Sequence, residues 1–144
     1  MTQAASLHVV GLGPGHPDCL TPQARAVLEQ AACVAGYHLY MDMVPPELLE
    51  GKQRISTGMR HEIERCEAAV AAALAGQATV LVCSGDPGIY ALAGLALEIL
   101  ESRGLVGEVP FGVVPGVPAV CAAAPPDRIY GRTYAAACLQ AFAG

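Results

Sequence analysis

Hydrophobic and polar positions follow two different periods along the chain, which predicts strands separated by helices. Residues 7–10 and 33–36 are short apolar runs, and residues 78–83 are continuously apolar, which is typical of strands buried on both faces. Residues 22–32 and 62–74 instead carry their apolar side chains on one face at the 3.6-residue period of a helix. This alternation predicts strands that pair through helical crossovers.

The remaining elements continue the alternation. Residues 53–56 form a third predicted strand, and residues 89–103 form a further helix. A last strand is predicted over residues 109–114, where Pro110 and Gly112 interrupt the pattern. Strands that alternate with helices indicate a parallel sheet with right-handed connections. The sequence therefore predicts one α/β domain with a mostly parallel sheet flanked by helices.

Local signals mark where the predicted helices begin and end. Thr21 and Pro22 form an N-cap followed by proline at the first helical position, and Gly76 is placed to end the second helix. Residues 37–43 show no clear period, so no element is predicted there.

Composition and charge exclude several classes of function. The chain has 144 residues, a net charge of −5 and scattered lysine and arginine residues, which disfavours a nucleic-acid-binding surface. No signal-peptide pattern is present, and the longest apolar helix contains Glu98 and is too short to cross a membrane. We therefore expect a cytoplasmic protein without membrane or nucleic-acid partners.

The cysteines favour the same compartment. None of them forms a C-x-x-C pair, and most lie inside apolar runs: Cys19, Cys33, Cys66, Cys83, Cys121 and Cys138. This pattern is typical of reduced, buried thiols, and no metal site is expected from it.

Three glycine- and proline-rich loops follow predicted strands, at the end of the sheet where α/β proteins bind ligands. The first begins like a dinucleotide-binding motif, but His16 stands at the position of its third glycine and Pro14 lacks a backbone donor. Residues 33–37 also lack the acidic residue expected in nicotinamide-binding folds. Binding of NAD is therefore disfavoured, and a purely structural turn stays open as an alternative.

The three loops together carry a more specific signal. The motif GLGPG at 11–15 is followed by LT at 20–21, then by SGDPGIY at 84–90 and VPGV at 114–117. In this order the motifs resemble those of the tetrapyrrole methylase family. Within that family, ISTGM at 55–59 is similar to the precorrin-3B C(17)-methyltransferase branch.

The resemblance implies methyl transfer from S-adenosylmethionine to a ring carbon of a precorrin during cobalamin biosynthesis. The protein's task in such a reaction is alignment, because the sulfonium donor is already activated. The resemblance assigns cofactor contacts to six positions: Pro14, Gly85, Asp86, Ile89, Pro118 and Ala119. Pro118 departs from the family pattern, which has threonine there, and so lacks a hydroxyl and a backbone N–H.

Alternative roles stay open for several of these side chains. Asp86, placed before a proline, either contacts the ligand or forms an Asx-turn that caps the next helix. His16, His38 and His61 are acid–base candidates, but their spacing selects none of them as a catalytic residue.

Four cations surround residues 55–59: Lys52, Arg54, Arg60 and Arg65. One hypothesis is that they bind the carboxylates of a precorrin. The alternative is a solvated face in which Glu62 and Glu64 are their partners.

The family resemblance covers part of a two-domain fold. It implies an amino-terminal methylase domain over residues 1–124, while residues 125–144 form a divergent tail rich in proline and alanine. We expect a truncated form of doubtful activity alone, and the resemblance implies a second copy or a complementing carboxyl-terminal domain as its partner. The alternative is a non-catalytic module that binds a nucleoside or associates with a partner.

Overall fold

Five parallel strands form a sheet in the computed structural model, which describes residues 4–89 and 92–123. The strands are β1 (Ser6–Gly11), β2 (Cys33–Tyr37), β3 (Gln53–Thr57), β4 (Ala78–Cys83) and β5 (Phe111–Val114). Their spatial order is β3-β2-β4-β1-β5, and all four pairings are parallel. The predicted α/β class is therefore confirmed.

Helices cover both faces of this sheet. They are α1 (Pro22–Gln30), α2 (His38–Met41), α3 (Glu62–Leu74), α4 (Leu92–Ser102) and α5 (Ala119–Ala123). On one face, Leu28 of α1 and Met41 of α2 pack with Val10 and Val82. On the other face, α3 and α4 bury a second apolar cluster that contains Val9 and Leu81. Consecutive residues of β1 and β4 thus supply two separate cores, as the period of a strand requires.

After two neighbouring strands, β1 and β4, the chain turns to opposite faces of the sheet. After β1 it continues to α1 on one face, and after β4 it continues towards α4 on the other. Since β1 and β4 are adjacent, the point at which the connections diverge lies between their carboxyl ends. Ligands of open α/β sheets bind at such switch points.

Local signals predicted the helix ends correctly. The hydroxyl of Thr21 accepts a hydrogen bond from Ala24 N at 3.1 Å, which confirms the N-cap of α1. Gly76 has a φ of +97° and donates to Ala73 O just after α3, which confirms its role at the helix end.

Three predicted boundaries differ from the structure by two residues or more. α1 ends at Gln30 rather than at residue 32, because Ala31 is already extended with a ψ of 140°. The last strand starts at Phe111 rather than at residue 109, since Pro110 has no N–H for the ladder. Among the described residues α4 begins at Leu92, whereas Ile89 closes a turn by donating to Asp86 O at 3.1 Å. The unassigned segment 37–43 contains the short helix α2.

The cysteines divide by position. Cys33, Cys66 and Cys83 are buried as predicted, and burial raises the pKa of Cys66 to about 11 and of Cys83 to about 12. Cys19 is half-buried and Cys121 is exposed, so the prediction of burial was wrong for them. Cys138 lies outside the described residues.

No helix among residues 4–89 and 92–123 has the length and apolar character needed to span a membrane.

Candidate functional site

The loops that follow β1 and β4 are joined by their backbones. Gly13 N donates to Gly85 O at 3.2 Å, and Gly85 N donates to Gly13 O at 2.8 Å. Both glycines have positive φ angles, +72° and +61°, which residues with a side chain rarely adopt. We call residues 12–20 the first loop and residues 84–89 the second loop.

The loop after β5, residues 115–118, contacts both of the others and is called the third loop. A Cβ atom on its Gly116 would lie 2.9 Å from both C and O of Gly11, and closer still to Gly85 O. A Cβ on Gly11 would lie 2.9 Å from Gly116 N and from Pro87 Cδ. Glycine is therefore required at both positions, because the three backbones touch where β1 ends.

Asp86 ties the second loop to the third. Its Oδ1 accepts a hydrogen bond from Gly88 N at 2.8 Å, which is the Asx-turn considered as an alternative. Its Oδ2 accepts another from Gly116 N at 3.0 Å. Both carboxylate oxygens thus hold backbone amides, and charged acceptors make such bonds stronger than neutral ones do.

The residues predicted to contact a cofactor gather around Gly85, with one exception. A Cβ on Gly85 would lie 3.8 Å from Pro118 Cα and 3.9 Å from Ala119 N, so the second and third loops meet there. Pro14 follows Gly13, the backbone partner of Gly85. Ile89 is the exception, because it lines a separate cavity.

That cavity has a volume of about 230 Å³ and lies at the carboxyl ends of β2 and β4. Tyr37, Tyr40 and Arg65 line it together with Ile89 and Cys83. Burial, with a smaller contribution from the nearby Asp86 carboxylate, raises the pKa of Cys83 to about 12, so the thiol stays protonated at neutral pH. Tyr37 and Tyr40 were not predicted as site residues, and their main signal in the sequence is their position after the second predicted strand.

The four cations around residues 55–59 do not form one cluster. Lys52 precedes β3, at the amino end of the sheet, and its Nζ donates to the carbonyls of Leu28, Glu29 and Ala31 at 2.5, 2.8 and 2.9 Å. Arg54 Nη2 donates to Leu49 O at 3.2 Å. These bonds to backbone carbonyls favour a structural role for Lys52 and Arg54 over carboxylate binding. Arg60 and Arg65 lie beyond the other end of β3.

From the contacts of Lys52 we expect its replacement to lower the stability of the protein and to leave ligand binding at the other end of the sheet unchanged. Lys52→Met leaves the last carbonyls of α1 without their cation, and we expect unfolding free energy to fall by about 1–2 kcal/mol. Urea denaturation measures this change. The matched variant Arg25→Met removes an exposed ion pair with Glu47 at 3.5 Å and should cost less than about 1 kcal/mol. Equal stability of the two variants would contradict the capping role of Lys52.

Comparisons with known proteins point to one family. Residues 6–125 match the family described as Tetrapyrrole (Corrin/Porphyrin) Methylases. Over 118 residues the chain is 43% identical to a probable cobalt-factor III C(17)-methyltransferase of Salmonella typhimurium. The match covers 82% of this chain and 48% of that protein.

Solved structures agree with the sequence comparison. The chain is similar to the crystal structure of the methyltransferase CobJ, with a TM-score of 0.76 and 35% identity over 83% of this chain and 49% of that one. It is also similar to a uroporphyrin-III C-methyl transferase from Thermus thermophilus complexed with S-adenyl homocysteine. There the TM-score is 0.66, the identity is 28%, and coverage is 88% of this chain and 54% of that one. The chain thus spans about half the length of these relatives.

Proposed function

Because the chain belongs to the tetrapyrrole methylase family, we propose that it forms half of an S-adenosylmethionine-dependent C-methyltransferase acting on a precorrin-type tetrapyrrole. The observation that carries this proposal is the contact of three loops around Gly85 at the switch point between β1 and β4. Carbon 17 is the proposed methylation site, supported by the name of the Salmonella relative.

The loops fit the proposed cofactor in shape and charge. Gly85 lies in a conformation that excludes most side chains, and a Cβ there would make only ordinary contacts at 3.8 Å or more. The open backbone at this position lets a ligand approach closely. The Asp86 carboxylate adds negative charge at the same place, which favours a sulfonium cation. Bound S-adenosylmethionine would supply an activated methyl group, so this chain needs no nucleophile of its own.

We assign the binding role to the residues around that position. Pro14, Gly85, Pro118 and Ala119 would contact the cofactor, and Asp86 would hold the second and third loops in the shape that binds it. Ile89 would face the acceptor side, because it lines the neighbouring cavity. Alignment of donor and acceptor is the main contribution that such a scaffold makes to the rate.

Residues 1–124 are proposed to be one methylase domain and residues 125–144 a divergent tail. The chain spans about half the length of these relatives, so a whole methyltransferase of this family also contains a region beyond the one that this chain matches, and that region would complete the site. The buried thiols of Cys33, Cys66 and Cys83 favour a reducing, cytoplasmic location. The alternative function is a non-catalytic module that binds a nucleoside or associates with a partner.

Reconstitution tests the proposed activity against this alternative. The 144-residue chain is mixed with the separately expressed carboxyl-terminal half of the Salmonella relative, and transfer of a labelled methyl group to cobalt-factor III is measured. We expect transfer with the mixture and none with either half alone. A mixture that forms a complex and binds S-adenosylmethionine, yet transfers no methyl group, would favour the non-catalytic module.

A further inference from the structure

The cavity that contains Ile89 also contains a buried cation. Arg65 lies on α3 with 4% of its surface exposed, and it lines this cavity of about 230 Å³ beside Tyr37, Tyr40 and Met59. We call this cavity the arginine pocket. Buried arginines are costly unless their donors are matched, so the partners of this guanidinium decide what the pocket can bind.

One edge of the guanidinium is fixed by protein atoms. Nη1 of Arg65 donates to Thr57 Oγ1 at 2.5 Å and to Gly58 O at 3.4 Å, both at the end of β3. The guanidinium carbon lies 5.9 Å from the centre of the Tyr37 ring, which is within the range of a cation–π contact. The guanidinium is thus held in one place before any ligand arrives.

The other edge of the guanidinium, at Nη2, lacks a well-placed acceptor. Nη2 faces Glu62 Oε1 at 3.7 Å, beyond hydrogen-bond distance, and half of the Glu62 side chain is exposed. Within residues 4–89 and 92–123, Nη2 has no hydrogen-bond partner. A planar carboxylate is the group that an arginine edge binds best.

We propose that the arginine pocket binds a carboxylate side arm of the tetrapyrrole acceptor, with Arg65 as the anchoring residue; this inference rests on the proposed function. The volume is below the roughly 300 Å³ at which pockets for whole drug-sized ligands begin, so it suits an arm rather than a macrocycle. Because Ser84 and Ile89, at the two ends of the second loop, line the pocket, an arm held here places the ring beside the loop that is proposed to bind the methyl donor.

The surface around the pocket suits the rest of such a ligand. Met59, which lines the pocket, is 67% exposed. An exposed apolar side chain beside a cationic pocket fits a flat apolar ring with acidic arms.

Titration of the 144-residue chain with uroporphyrin, whose side arms end in carboxylates, tests this inference by fluorescence. Arg65→Gln should weaken uroporphyrin binding about ten-fold, the loss expected for one charged hydrogen-bonded contact. A cationic tetrapyridinium porphyrin has the same ring with the opposite charge. Arg65→Gln should bind this porphyrin at least as tightly as the wild type does. Arg103→Gln is the matched control, because Arg103 pairs with Glu67 and does not line the pocket.

A second pair of variants guards against loss of folding in Arg65→Gln. Met59→Glu adds a negative charge at an exposed position of the pocket and should weaken uroporphyrin binding, whereas Met59→Gln should not. Equal affinities for this pair, or a folded Arg65→Gln chain that binds like the wild type, would overturn the inference.

Binding of S-adenosylhomocysteine separates this inference from the proposed function. Arg65→Gln and Met59→Glu should bind S-adenosylhomocysteine like the wild type. A wild-type chain that binds S-adenosylhomocysteine but not uroporphyrin would overturn the arginine pocket alone. A wild-type chain that binds neither ligand would overturn both the pocket and the proposed function.

Discussion

Replacing Gly116 by alanine is expected to abolish detectable binding of S-adenosylhomocysteine. The new Cβ would lie 2.9 Å from two backbone atoms of Gly11 and closer to Gly85 O, so at least one loop must move. Backbone atoms cannot make room for the Cβ by changing rotamer, as a flexible side chain can. Overpacking of this kind costs about 1–3 kcal/mol, and we expect a loss of that size in urea denaturation.

A matched glycine outside the three loops provides the control. Gly58 has an ordinary φ, and a Cβ there would meet His61 Cδ2 at 3.7 Å, which is normal van der Waals contact. Gly58→Ala should therefore change stability by less than about 0.5 kcal/mol and leave S-adenosylhomocysteine binding intact. If Gly116→Ala bound the ligand as well as Gly58→Ala does, contact between the three backbones would not be needed for the site.

Asp86→Ala should weaken binding of S-adenosylhomocysteine about 10- to 100-fold, since one charged hydrogen bond contributes about 1.5–3 kcal/mol. The variant removes the acceptors of Gly88 N and Gly116 N, so the second and third loops lose their side-chain link. Asp86→Asn keeps one oxygen and no charge, and its affinity should lie between those of the wild type and Asp86→Ala. Calorimetric titration measures all three affinities.

Asp42→Ala is the control for this series, because Asp42 is exposed and lies outside the three loops. Its affinity for S-adenosylhomocysteine should equal that of the wild type. The role of Asp86 as the link between the second and third loops would be contradicted by an Asp86→Asn chain that binds no better than Asp86→Ala. In that case the negative charge alone, rather than the two amide contacts, would decide binding.

Features that depend on neighbouring residues could be predicted from the sequence. The N-cap of α1 at Thr21 and the end of α3 at Gly76 follow from the conformations those residues prefer, and the structure confirms both. The start of β5 was placed two residues early, although the missing N–H of Pro110 was visible in the sequence.

Features that depend on strand order could not be predicted in the same way. The bond between Asp86 and Gly116 joins residues far apart in the chain, and it exists because β1 lies between β4 and β5. The cations around residues 55–59 show the same limit. Lys52 and Arg65 flank one strand, and since a strand advances about 3.3 Å per residue, its two ends lie far apart. The cations are close in sequence, which suggested one cluster, but the fold places them at opposite ends of the strand.

Calorimetric titration of the wild-type chain with S-adenosylhomocysteine tests most directly whether this chain contains a formed cofactor half-site. We predict saturable binding of S-adenosylhomocysteine and no binding of NAD under the same conditions. A folded chain that binds neither compound, or that prefers NAD, would contradict the presence of such a half-site.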